Sequence, residues 1–131
     1  MHAFMLTVLE IIEETTPRQH PANRGETLFH DFISLLVDNY REQHYIGYYA
    51  GRLSITPTYL SKLIRHQTGK TAGYFINGML YAEAHRLLIR SDRSIQEISD
   101  ELCFSDQSAF GKFFKSKAGI SPRQFREKYG G

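Results

Sequence analysis

The sequence predicts an all-α protein organised around a helix-turn-helix unit that occurs twice. Three observations lead there. Apolar residues recur three or four positions apart through most of the chain, and no segment alternates apolar with polar residues as a half-buried strand does. Capping residues, prolines and glycines punctuate the apolar runs where helices should begin and stop. Two stretches, 46–75 and 95–125, repeat one another's apolar and cationic positions.

The first element is MHAFMLTVLEIIEE, which predicts a short helix over 3–14 that is apolar on most of its circumference and so calls for burial on several sides. It has no basic leader, and Glu10, Glu13 and Glu14 stand where a secretory cleavage site would lie, so a cytoplasmic location is expected. No apolar run is long enough for a membrane span. Residues 15–27, TTPRQHPANRGET, read as a linker. Residues 1–27 are thus expected to be a helix and linker, consistent with the tail of a missing regulatory domain, and 28–131 to be the folded domain.

From Leu28 the pattern is helical. Phe29, Phe32, Ile33, Leu36, Val37 and Tyr40 make one apolar stripe, ending near Gln43. Helices follow over 46–53 and 57–68; Thr56 caps the second, Pro57 takes its first position and Gly69 stops it. A long central helix is predicted over 72–91, with Phe75, Ile76, Met79, Ala82, Leu87 and Leu88 inward. Ser94, with Glu97 three residues on, forms a capping box for a short helix ending near Leu102. Another helix runs from Asp106 or Gln107 to Ala118 and stops at Gly119. Ser121 and Pro122 open the last one.

The repeat is specific. Ile46 matches Ile95, Tyr49 matches Ile98, and Leu53 matches Leu102. After one extra residue in the second turn, Leu60, Lys62, Leu63, Ile64, Arg65 and Gly69 match Phe110, Lys112, Phe113, Phe114, Lys115 and Gly119. Each copy is a short helix, a turn and a longer helix ended by glycine, which is the helix-turn-helix unit. The two units span about 46–69 and 94–119. In the first, Tyr59, Leu60, Leu63 and Ile64 are expected inward, leaving Thr58, Ser61, Lys62 and Arg65 outward. In the second, Phe110, Phe113 and Phe114 are expected inward, leaving Gln107, Ser108, Gly111, Lys112 and Lys115 outward. An α-helix fits the major groove, where Ser, Thr and Gln can bond base edges and Lys can reach guanine or phosphate. A polar cationic helix face is usually just solvated surface; the same cation at equivalent positions of two such helices favours a polyanion partner.

Charge distribution agrees. The net charge of +2 divides into −4 over residues 1–44 and +6 over 45–131. Other chemistry finds little support. The six histidines, His2, His20, His30, His44, His66 and His85, form no i, i+4 pair, so no metal site is expected. The lone Cys103 can form neither an intramolecular disulfide nor a zinc site, and in ELCF it reads as a small buried residue. There is no phosphate loop, nucleophile motif or carboxylate pair, so neither an enzyme nor a cofactor is expected. The competing class is a helical protein-interaction module whose basic faces bind an acidic partner.

Over residues 28–129 the chain resembles the DNA-binding region of the AraC/XylS family of bacterial transcription regulators. The resemblance rests on A-x-x-L-x-I-T-x-x-Y-L-S-K-L (Ala50 to Leu63), A-x-R-L-L (Ala84 to Leu88) and SIQEISDELCFSDQSAFGKFFKSKAGISPRQFR (Ser94 to Arg126). It implies seven helices, with two helix-turn-helix subdomains joined by the long central helix, and recognition helices at 57–68 and 107–118 entering successive major-groove segments of double-stranded DNA. Base reading would fall to Thr58, Ser61, Lys62, Gln107, Ser108 and Lys112. Phosphate contacts would fall to Arg65, Lys115 and the helix start at Ser94 and Ile95. The resemblance further implies that the protein acts by positioning RNA polymerase near a promoter, with activation and repression both open, and that it dimerises through an N-terminal domain. The sequence departs from the family at Cys103, where glycine is usual, at Leu80, where arginine is common, at Gly47 with Tyr48-Tyr49, and at Gly111.

Overall fold

A computed structural model describes residues 23–130, and the predicted helix at 3–14 and most of the linker lie outside the described residues. Seven helices and no strand occur among the described residues: α1 Arg24–Asn39, α2 Ile46–Arg52, α3 Pro57–Thr68, α4 Ala72–Arg90, α5 Ile95–Glu101, α6 Gln107–Ala118 and α7 Pro122–Tyr129. The chain divides into two compact units, with the division inside α4 between Met79 and Leu80.

The first unit is built on α1. Phe29, Phe32, Ile33 and Leu36 are buried, as the stripe predicts, together with Leu28, Tyr49, Leu60, Ile64, Phe75 and Ile76. Phe29 meets Phe75 edge-on at 6.3 Å, and Phe32 meets Tyr49 at 5.5 Å. Tyr49 is fully buried, and its hydroxyl donates to the Gln43 carbonyl at 2.8 Å. Burial, with smaller contributions from Tyr48 and Glu42, raises the pKa of its phenol far above the ordinary value. At Gly25 an added Cβ would stand 3.2 Å from Leu63 Cδ1 and 3.3 Å from Gln67 Nε2, so a side chain there would press on α3.

Three expectations about α1 change. α1 begins at Arg24, inside the predicted linker, because Asn23 accepts from the Glu26 N–H and caps a polar first turn that an apolar stripe cannot reveal. It ends at Asn39 rather than near Gln43. Val37, at the edge of the stripe, is 41% exposed instead of buried.

In the second unit, α4 contributes Leu80, Tyr81, Ala84, Leu87 and Leu88 to a core completed by Ile98, Leu102, Phe110, Phe114 and Phe125. Tyr81 and Phe125 each lie 5.1 Å from Phe114, ring centre to ring centre. Ala84 is fully buried, whereas Ala82, expected inward, is only partly covered. Leu80, where the family commonly has arginine, is 1% exposed and belongs to the core. Arg126 of α7 closes the C-terminal end of α4: its guanidinium donates to the carbonyls of Leu88 (3.0 Å), Leu87 (3.2 Å) and Ser91 (3.3 Å), and to that of Arg93. The Leu88 carbonyl is one of the last four of α4, which have no partner within the helix, while that of Leu87 also accepts from the Ser91 N–H and hydroxyl. An Arg93–Glu101 ion pair ties the following loop to α5.

Candidate nucleic-acid interface

The two turns that deliver α3 and α6 share one hydrogen-bond pattern. After α2, the Leu53 N–H bonds the Tyr49 carbonyl, the Ser54 N–H bonds Gly51, and the Ile55 N–H bonds Ala50, at 3.0, 3.1 and 3.0 Å. After α5, Leu102 bonds Ile98, Cys103 bonds Asp100, and Phe104 bonds Ser99, each at 3.0 Å. This is the Schellman arrangement, which needs a left-handed residue just beyond the helix cap. Ser54 (φ 58°) and Cys103 (φ 61°) supply it. The position explains why Cys103 is exposed rather than buried as ELCF suggested: a residue in the left-handed turn projects from the surface.

The following helices are capped alike. Thr56 Oγ1 accepts from the Tyr59 N–H at 3.0 Å, and Asp106 Oδ1 accepts from the Ala109 N–H at 2.7 Å. Left-handed glycines, Gly69 and Gly119, end both helices. In the second unit, the buried Ser99 hydroxyl also donates to the Asp106 carbonyl at 3.0 Å, fixing the start of α6 against α5.

With Leu60, Leu63 and Ile64 buried, α3 exposes Thr58, Ser61, Lys62 and Arg65, so all four predicted outward residues occupy its solvent side. With Phe110 and Phe114 buried and Phe113 half-buried, α6 exposes Gln107, Ser108, Lys112 and Lys115. Neither helix contains a carboxylate. Gly111, the counterpart of Ser61, leaves a gap on the α6 face: a Cβ built there has no atom within 4 Å.

Ser94 caps α5 through the predicted capping box. Its hydroxyl accepts from the Glu97 N–H at 3.0 Å, and its own N–H donates to Glu97 Oε1 at 2.8 Å. Hydrogen bonds from the Ser94 backbone N–H and, secondarily, its side chain to the Glu97 carboxyl hold that group below its usual pKa range. They also occupy the Ser94 N–H, leaving Ile95 and Gln96 to present first-turn N–H groups. An open groove of about 490 Å³ brings Ser94, Ile95 and Gln96 together with Gln107, Arg123 and Arg126. Arg123, which sequence reading did not single out, is 85% exposed in its side chain and pairs loosely with Glu127 at 3.5 Å.

Tyr59 departs from the sequence reading. Expected in the core, it is 44% exposed on the flank of α3. No group of three or more potential metal ligands occurs among the described residues, and no described helix is long and apolar enough to cross a membrane.

Residues 49–128 match the helix-turn-helix domain family. Among curated relatives, the chain is 31% identical over 111 residues to the HTH-type transcriptional activator RhaR of Cronobacter sakazakii, an alignment covering 81% of this chain and 37% of RhaR. Among solved structures, it resembles the C-terminal domain of AraT, a response regulator from Geobacillus stearothermophilus, with a TM-score of 0.76 and 22% identity over 82% of this chain and 90% of that one. It also resembles the DNA-binding domain of AdpA, a global transcriptional factor solved with a target DNA, with a TM-score of 0.67 and 23% identity over 75% and 88% of the two chains. The chain spans roughly a third of the length of the curated relatives it matches.

Proposed function

The chain belongs to the AraC-type helix-turn-helix family of transcriptional regulators, and from that premise we propose that it binds double-stranded DNA sequence-specifically and so regulates transcription. The observation that carries this reading is the correspondence of two exposed faces. Thr58 and Ser108, Lys62 and Lys112, and Arg65 and Lys115 stand at equivalent positions of helices delivered by equivalent turns. A carboxylate-free, cationic helix face suits the major groove, whose base edges offer acceptors to Lys, Ser, Thr and Gln.

In this proposal α3 and α6 enter successive major-groove segments. Thr58, Ser61, Lys62, Gln107, Ser108 and Lys112 read bases, while Arg65 and Lys115 hold phosphates. The groove beside Gln107 receives a flanking phosphate at Ser94 and Ile95. The setting is the bacterial cytoplasm, and the outcome is activation through RNA polymerase.

Selection of bound duplexes from a random pool tests the proposal. Wild-type protein is expected to enrich a motif of two half-elements. Ser61→Ala with Lys62→Ala should relax one half and Gln107→Ala the other, each lost base contact costing about 1–3 kcal/mol of discrimination. A pool with no enriched motif, or a Lys62→Ala/Lys112→Ala protein that enriches the wild-type motif with unchanged affinity, would sink it.

A further inference from the structure

We infer that Tyr59 is an additional DNA-contacting residue, its hydroxyl donating a hydrogen bond to a backbone phosphate at the edge of the groove occupied by α3. The inference rests on the reading that α3 docks on duplex DNA, and it adds a contact outside the six base-reading positions and the phosphate contacts assigned above.

Tyr59 does not behave as a core aromatic. The rings that build the first unit, Phe29, Phe32, Tyr49 and Phe75, are fully or almost fully buried, whereas Tyr59 is 44% exposed. The repeat supplies an internal comparison: the matching residue of α6 is Ala109, so the unit closes its core without an aromatic side chain here. Among the described residues the Tyr59 hydroxyl has no hydrogen-bond partner, while its backbone N–H is already taken by Thr56. The ring is therefore held at the start of the helix with its polar tip unpaired.

Its position on the helix indicates what the tip meets. At 100° per residue, Tyr59 lies about 110° round from the middle of the exposed face formed by Thr58, Ser61, Lys62 and Arg65. Base edges face the first turns of that exposed face, and a side chain so far to one side of it faces the sugar-phosphate strand that walls the groove. Lys62 lies about 60° and His66 about 20° from Tyr59 on this side, both exposed. With no carboxylate on α3, nothing on the helix repels an anion there. A phenol O–H donated to a phosphate is a charge-assisted hydrogen bond that adds no charge of its own.

The test compares wild type, Tyr59→Phe and Lys62→Ala on the selected duplex and on a scrambled duplex across a salt series, with thermal unfolding of each protein measured alongside. Tyr59→Phe should weaken both duplexes by a similar factor, on the order of tenfold, with the slope of log K against log[salt] and the unfolding temperature unchanged. Equal affinity of Tyr59→Phe and wild type would overturn the inference, and would leave DNA binding by α3 standing if Lys62→Ala still loses affinity. A change in the preferred sequence would overturn it in favour of base reading. Loss of affinity that tracks a lowered unfolding temperature would assign Tyr59 to folding alone.

Discussion

Ser54 and Cys103 stand at the one position in each turn where the backbone is left-handed, a conformation that costs a side chain about 1 kcal/mol or more. Ser54→Gly and Cys103→Gly are each expected to raise stability by up to about 1 kcal/mol, since relief of strain outweighs the added freedom of the unfolded chain. Urea titration checks this: the midpoint should rise with an unchanged slope. The same position shows where residue-level reading fails. Composition favours burying a free cysteine, but the Schellman turn dictates an outward residue, and that turn becomes visible only when the two copies are aligned with their hydrogen bonds. Tyr59 and Val37 fail for another reason. Periodicity identifies the direction of a helix's buried side but not how far around the helix its neighbours reach, so residues at the margin of a stripe are the ones misassigned.

At the scale of elements, the helices were legible because their ends carry chemical signals. Thr56 with Pro57, Ser94 with Glu97, and Ser121 with Pro122 each cap a helix in the predicted place. The start of α1 was not legible from an apolar stripe, since Asn23 and Glu26 form a polar first turn there. Arg126 lay beyond any local pattern: its carbonyl partners are 33 to 39 residues away in sequence. Arg126→Ala is expected to destabilise the second unit by about 2 kcal/mol, because removing a charged donor leaves several carbonyls at the end of α4 without it. Arg126→Lys should recover only part of the loss, since an ammonium lacks the planar fork that reaches several acceptors together. Amide exchange at the C-terminal turn of α4 and thermal unfolding would both report the loss. Protection unchanged in Arg126→Ala would deny the guanidinium this role.

For the whole molecule, the repeat was the most informative feature, since it converted two ordinary cationic faces into a matched pair. Charge was informative because it is unevenly spread: the acidic excess lies in residues 1–44 and the basic excess in 45–131. Duplex affinity should therefore fall steeply with salt. Arg65→Ala and Lys115→Ala should each weaken binding to all sequences alike and flatten the log–log salt slope by about one. Fluorescence anisotropy across a salt series measures this, and an unchanged slope in both variants would remove these residues from the phosphate contacts. The gap at Gly111 bears on how such a protein changes over generations. A new side chain there meets no neighbour and replaces the residue least suited, apart from proline, to a helix interior, so variation at this point strengthens the helix while offering the duplex a new group to bind. At this position a change of operator preference runs with the fold.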